Sequence, residues 1–185
     1  MALRNALLAA LIDRESSGYD LAKRFSVSVA NFWTATPQQL YRELEKMEAE
    51  GLLTARVVKQ DRRPDKRLFS VTEAGREALY TFTRQDPKPT TVRDELLVQV
   101  EALAYADLPS VRASIESRIA QSRQRVASYE ASLAEILGAR SHEDFLATGN
   151  RIGPYLTLQR GISFERDNIA WGILALEILA RRFPT

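Results

Sequence analysis

Residues 36–53 read Thr-Pro-Gln-Gln-Leu-Tyr-Arg-Glu-Leu-Glu-Lys-Met-Glu-Ala-Glu-Gly-Leu-Leu, and their side chains are of the kind that reads a DNA duplex. A glutamine such as Gln38 or Gln39 takes adenine through two hydrogen bonds, and an arginine such as Arg42 takes guanine in the same way. Thr36, Tyr41 and Lys46 add a hydroxyl, a phenol and an ammonium, and the N-terminus of a helix attracts phosphate. That chemistry needs the segment to be a helix. Thr36 is a good N-cap, Pro37 falls at N1 where a missing N–H costs nothing, and Gln39 at N3 completes a capping box. Ala35 and Leu40 stand where a hydrophobic staple would close. Leu40, Leu44 and Met47 recur at i, i+4, i+7 as one inward stripe, which leaves Gln38, Gln39, Arg42, Glu45 and Lys46 pointing away. Gly51 is the stop. Taken alone, the pattern also describes an ordinary amphipathic surface helix, so its neighbours decide.

Ahead of it, residues 2–13 form an apolar helix with Leu3, Leu7, Leu8, Leu11 and Ile12 on the buried side. Residues 13–18 are a turn cluster, and a second helix follows over about 19–31, burying Leu21, Ala22, Phe25 and Val29. Phe32 and Trp33 plug the link to the third helix. Behind it the period changes: residues 53–59 and 68–71 are β-branched and apolar, and a polar turn at 60–66 separates them. This is a hairpin with a basic tip. Within 56–67 stand Arg56, Lys59, Arg62, Arg63, Lys66 and Arg67 against Asp61 and Asp65. Two helices, a capped polar-faced helix and then a basic hairpin make a winged helix-turn-helix, with the wing lying along the phosphate backbone. Residues 72–83 close the hairpin and begin another helix.

The 185 residues carry a formal net charge of only +2, so bulk charge does not announce a nucleic-acid partner. Its placement does. Residues 1–85 hold 14 Lys+Arg and 11 Asp+Glu, and residues 86–185 hold 12 and 13. There is no cysteine and one histidine, His142, which reads as a solvent-facing first-turn residue. With no glycine-rich phosphate loop either, no catalytic constellation can be built, and neither enzyme activity, metal nor cofactor is expected. No stretch approaches the ~18 apolar residues of a membrane span, since Gly172 and Glu177 interrupt the longest. The N-terminus does not read as a signal peptide, and a cytoplasmic location is expected.

Pro87 and Pro89 mark a linker. Beyond it a short helix is expected over 92–105, a long one over 109–137 seamed by Val111, Ile115, Ile119, Val126, Tyr129, Leu133 and Leu137, and a short one capped by Ser141. Gly149, Gly153 and Pro154 read as breaks before a last helix, 155–182, which buries Leu158, Ile162, Ile169, Ile173, Leu176 and Leu179. Two long helices cannot hide wide apolar faces from each other alone, and a second copy of the chain is expected to cover them as a two-fold dimer. Tyr155, Phe164 and Trp171 read first as core, and second as an effector pocket for a small molecule.

Over residues 8–79 the chain resembles the PadR-like transcriptional regulators. The resemblance rests on Ser17-Gly18-Tyr19-Asp20-Leu21, Phe32-Trp33, Gln39-Leu40-Tyr41-Arg42-Glu43-Leu44, Glu50-Gly51-Leu52-Leu53 and Leu68 to Gly75, in order and at matching spacings. The helical tail, with Arg160-Gly161-Ile162 and Phe164-Glu165-Arg166 before Trp171, looks like the larger C-terminal domain of one PadR subgroup. The resemblance implies that Tyr19 and Tyr41 touch DNA phosphates and that helix three enters the major groove. The expectation is therefore a mainly α chain: a winged helix-turn-helix DNA-binding domain with a small β-hairpin wing at 1–85, and an all-helical dimerisation domain at 92–185. It would act as a homodimeric repressor on double-stranded DNA. The competing use of the same surface is a protein-docking module that offers the hairpin to an acidic partner in a helical assembly.

Overall fold

A computed structural model describes residues 2–25, 35–59 and 65–184. It divides into two compact units, Met1–Lys88 and Pro89–Thr185, each with its own core.

In the first unit α1 (Ala2–Leu11), α2 (Gly18–Arg24) and α3 (Pro37–Ala49) bury Leu7, Leu8, Leu11, Leu21, Leu40, Leu44 and Met47 against one another. Arg4 ties α1 across the back of α3, with Nε 3.2 Å from Glu43 and Nη1 2.8 Å from Glu50. Gly51, at φ 73°, ends α3 in the left-handed conformation, and Leu52 N donates back to the Met47 carbonyl at 2.9 Å. Strands β2 (Leu53–Val58) and β3 (Lys66–Val71) pair antiparallel from Leu53 opposite Val71 to Val58 opposite Lys66. Leu53 and Phe69 carry the sheet into the helical core, and α4 (Glu73–Thr83) follows behind a Thr72 cap.

One strand was not expected. Ser16 and Ser17 form β1, which adds to the far edge of β3 opposite Phe69 and Leu68, where a turn cluster is the natural sequence reading. Both serines are buried, and Ser17 also caps α2 by accepting from Asp20 N at 3.1 Å. The first helix is two residues shorter than its apolar pattern suggests, while Phe32, Trp33 and Val29 lie outside the described residues.

The second unit is built on two long helices, α6 (Leu108–Leu137) and α8 (Ile152–Arg182), with α5 (Glu95–Glu101) and a 3-10 turn (Leu103–Tyr105) on one end and α7 (His142–Thr148) at the other. They run antiparallel, so Tyr129, Leu133 and Ile136 meet Tyr155, Leu158 and Ile162, while Val111, Ile115 and Ile119 meet Leu179. Between the two apolar clusters lies a polar layer. Ser122 is fully buried there, and Glu165, 4% exposed, has Oε1 2.6 Å from Arg125 Nε and takes a 3.3 Å bond from Asn168. Gly172 lets Ile119 approach α8 closely, since a methyl there would stand 2.7 Å from Ile119 Cγ1. At the far end Arg112 donates to the carbonyls of Leu179 and Phe183 at 2.7 and 2.9 Å, closing the C-terminus of α8.

Gly153 and Pro154 do not break the last helix; they lie in its first turn. Proline is tolerated there because the first N–H groups have no intrahelical partner. Ile173, expected in the core, is exposed instead, along with Leu174 and Ile178. Asp94 caps α5 through Leu96 N and accepts two bonds from Arg118, at 2.8 and 2.9 Å. The hydrogen bonds from Arg118 hold the Asp94 carboxyl below its ordinary range. A carboxylate whose folded value is depressed contributes stability above its unfolded value, and that contribution is lost as pH falls through the folded one. Asp94→Ala should therefore destabilise the chain by about 1–2 kcal/mol near neutral pH. In urea unfolding, the gap from wild type should close below about pH 4.

Candidate nucleic-acid interface

Because Leu40, Leu44 and Met47 turn inward, α3 presents Gln38, Gln39, Tyr41, Arg42, Glu45 and Lys46 to solvent. The expected cap is present in full: Thr36 Oγ1 accepts from Gln39 N at 3.2 Å, and Gln39 Oε1 accepts from Thr36 N at 2.9 Å. That bond has a chemical consequence. Bidentate recognition of adenine uses both ends of an amide, and the Gln39 oxygen is already committed to the cap. Gln38, exposed and with no hydrogen bond among the described residues, has both ends available. Arg42 and Lys46, one turn apart, are likewise exposed and make no ion pair among the described residues.

The two tyrosines come from different helices. Tyr41 lays its ring edge against Gly18, where a methyl group would sit 2.3 Å from Tyr41 Cε1, so only glycine lets the ring and the start of α2 approach. The next residue is Tyr19, 72% exposed. Phenol groups are thus offered from α2 and from α3.

On the hairpin the structure divides the basic residues into two sets. Lys59 is exposed, and Arg62 and Arg63 lie outside the described residues. The three on the strands are each bound to an acid from outside the hairpin. Arg56 forms a two-armed pair with Glu15, Lys66 Nζ lies 2.7 Å from Asp20 Oδ2, and Arg67 Nη2 lies 2.5 Å from Glu48 Oε2. The Arg67 guanidinium also covers the Phe69 ring, 5.3 Å from its centroid. Hydrogen bonds from Lys66 and then from Ser17 hold the Asp20 carboxyl below its ordinary range, and Arg56 does the same to Glu15. Sequence reasoning found the cations and missed these acids. The paired residues stand 19 to 46 positions apart, and no local pattern relates them.

The aromatic residues of the helical unit are not gathered into one pocket. Tyr155 belongs to the cluster of Phe145 and Leu158, with its hydroxyl 3.1 Å from His142 Nδ1. Phe164 is 48% exposed beneath Arg160, and Trp171 packs at the other end of the unit. Beside Trp171 runs an apolar groove of about 180 Å³ with Val100, Leu103, Leu174 and Ile178 on its walls. Among the described residues no cluster of His, Cys, Asp or Glu is arranged to hold a metal, and no helix is long and apolar enough to cross a membrane.

Residues 7–81 match the family described as "Transcriptional regulator PadR-like family", and residues 92–180 match "Virulence activator alpha C-term". The "Probable transcriptional regulator Rv1176c" of Mycobacterium tuberculosis (strain ATCC 25618 / H37Rv) is 31% identical over 182 aligned residues, covering 92% of this chain and 94% of its own. The chain belongs to the PadR-like family of transcriptional regulators. Two solved structures share its fold along nearly the whole length. The Vibrio cholerae virulence activator AphA superposes with a TM-score of 0.71 at 30% identity, covering 97% of this chain and 99% of that one. Bacillus subtilis PadR in complex with operator DNA superposes with a TM-score of 0.76 at 24% identity, over 97% and 99% of the two chains. PadR-like proteins are regulators of transcription that bind DNA, not enzymes.

Proposed function

We propose that the chain is a homodimeric repressor that binds an inverted-repeat operator, reading bases with α3 and gripping phosphates with the hairpin. The observation that carries this is the exposed polar face of α3, capped at Thr36 and followed directly by a basic hairpin. Within it, Gln38 and Arg42 meet base edges. Thr36, Gln39 and Lys46 support the start and flank of the reading helix. Tyr19 and Tyr41 hold adjacent phosphates, and Lys59, Arg62 and Arg63 serve the wing. The first unit is the DNA-binding domain and the second the dimerisation domain, and the protein works in the cytoplasm beside the chromosome. Relatives are named both as activator and as negative regulator. We assign repression by analogy with the relative named a negative transcriptional regulator.

The exposed stripe of Ile173, Leu174 and Ile178 supports the dimer. The groove beside Trp171 continues that stripe, and at about 180 Å³ it falls below the ~300 Å³ at which small-molecule sites begin. A small-molecule effector would act by changing the angle between subunits and so separating the two reading helices. A relative of the same fold has been crystallised with p-coumaric acid, which supports a small-molecule effector.

Gel shift and footprinting on the DNA upstream of its own gene, at two salt concentrations, test the reading. A salt-sensitive footprint with two-fold symmetry is expected; capture of an acidic protein with no footprint would overturn it. The roles within the site separate by salt. Each phosphate contact contributes a slope of about −0.9 in a log–log plot of affinity against salt. Replacing Arg62 and Arg63 together by Ala should flatten the slope by up to about 2 per subunit and leave the preferred sequence unchanged. A shift in base preference with the slope intact would reverse the assignment of hairpin and helix.

A further inference from the structure

We propose that Glu15, Asp20 and Glu48 withhold Arg56, Lys66 and Arg67 from DNA phosphates and so set the strength of the wing's salt-dependent grip on the duplex. This rests on the DNA-binding reading above. Each of the three cations stands on β2 or β3, and each is bound by an acid from a different segment outside the hairpin. Glu15 comes from the segment before β1, Asp20 from α2 and Glu48 from α3. The partners are fixed from both sides. Ser17 donates to Asp20 at 2.8 Å, and Arg67 is stacked over a Phe69 ring that is itself part of the core.

The effect on the local field is large. Six cations against Asp61 and Asp65 give residues 56–67 a formal charge of +4, and the three outside acids reduce it to +1. Exposed pairs of this kind contribute little to the fold, so their main consequence is not stability. A phosphate that approached Lys66 or Arg67 would meet the carboxylate as well, and a cation already neutralised releases no DNA counterion. Counterion release supplies nearly all sequence-independent affinity, whereas base readout by α3 does not depend on it. Removing three phosphate contacts lowers affinity for operator and bulk DNA alike and leaves the preferred sequence to α3. The acids therefore act as attenuators of the wing's grip.

The test uses the full-length protein and three variants, Glu48→Gln, Asp20→Asn and the triple Glu15→Gln, Asp20→Asn, Glu48→Gln. Each is titrated with an operator duplex and an unrelated duplex across a salt series, with thermal unfolding recorded alongside. Freeing a cation should steepen the slope on unrelated DNA by up to about 0.9. Affinity for both duplexes should rise several-fold at low salt, with the operator preference little changed. Adding Arg67→Gln to Glu48→Gln should return the slope to the wild-type value, an outcome that a simple loss of folding cannot imitate. Unchanged or shallower slopes in all three variants would overturn the proposal and make the pairs mere struts of the hairpin. A wild-type protein that binds neither duplex would overturn the DNA-binding reading itself, and with it this one.

Discussion

Inserting about 5 bp between the two half-sites of the operator should remove most of the specific binding. A two-fold dimer presents two copies of α3, and both enter major grooves on one face of B-DNA only when the half-site centres lie a whole number of turns apart, roughly 10 or 20 bp. An insertion of about half a turn rotates the second half-site to the far side of the duplex. Only one subunit then engages, and the gain from joining two weak contacts, on the order of 10²–10⁴-fold, is lost. An insertion of about 10 bp restores the face and should recover part of the affinity. Undiminished binding with the half-turn insertion would mean that the DNA-binding units hang on slack tethers or act singly.

A dimer-breaking substitution should have a comparable effect with the operator unaltered. Leu174 and Ile178 are 54% and 55% exposed, so glutamate at both positions leaves the isolated fold within about 1 kcal/mol of wild type. In the dimer the same positions would be covered. Losing two such half-exposed side chains forfeits roughly 1–1.5 kcal/mol each per subunit and buries carboxylates without partners, enough to raise the dissociation constant by several orders of magnitude. Sedimentation at a fixed concentration should show a monomer, and DNA affinity should fall with it. Truncation after Thr83 should behave alike in both respects. A truncated chain that sediments as a dimer would place the subunit contact outside the helical unit.

What could be read in advance was whatever is encoded within a few residues. The start, inward stripe and stop of α3 are all local signals, and all three are where the sequence puts them. The hairpin follows from its change of period, and the fold class and family from the order of the pieces. The misses share a cause. Ser16 and Ser17 have turn-forming composition and become a strand only because β3 offers a free edge. Pro154 looks like a break until its place in the first turn of α8 is known. Ile173 keeps a spacing that suits either face of α8, and only the packing against α6 decides that it points outward. The partners of Arg56, Lys66 and Arg67 are products of the tertiary fold alone, which is why the cations read as equals in the sequence and are not equals in the structure.

The polar layer between α6 and α8 limits how the second unit can move. Sliding one helix past the other by a turn, about 5.4 Å, would carry the Glu165 carboxylate away from Arg125 and into one of the apolar clusters that flank it. Leaving a buried charge without its partner costs about 3–5 kcal/mol, more than a ligand of ordinary selectivity supplies. Tilting or bending keeps the pair together and carries no such penalty. The two helices are keyed to each other like a shaft and its hub, and any signal that crosses them must travel as a change of angle rather than of register.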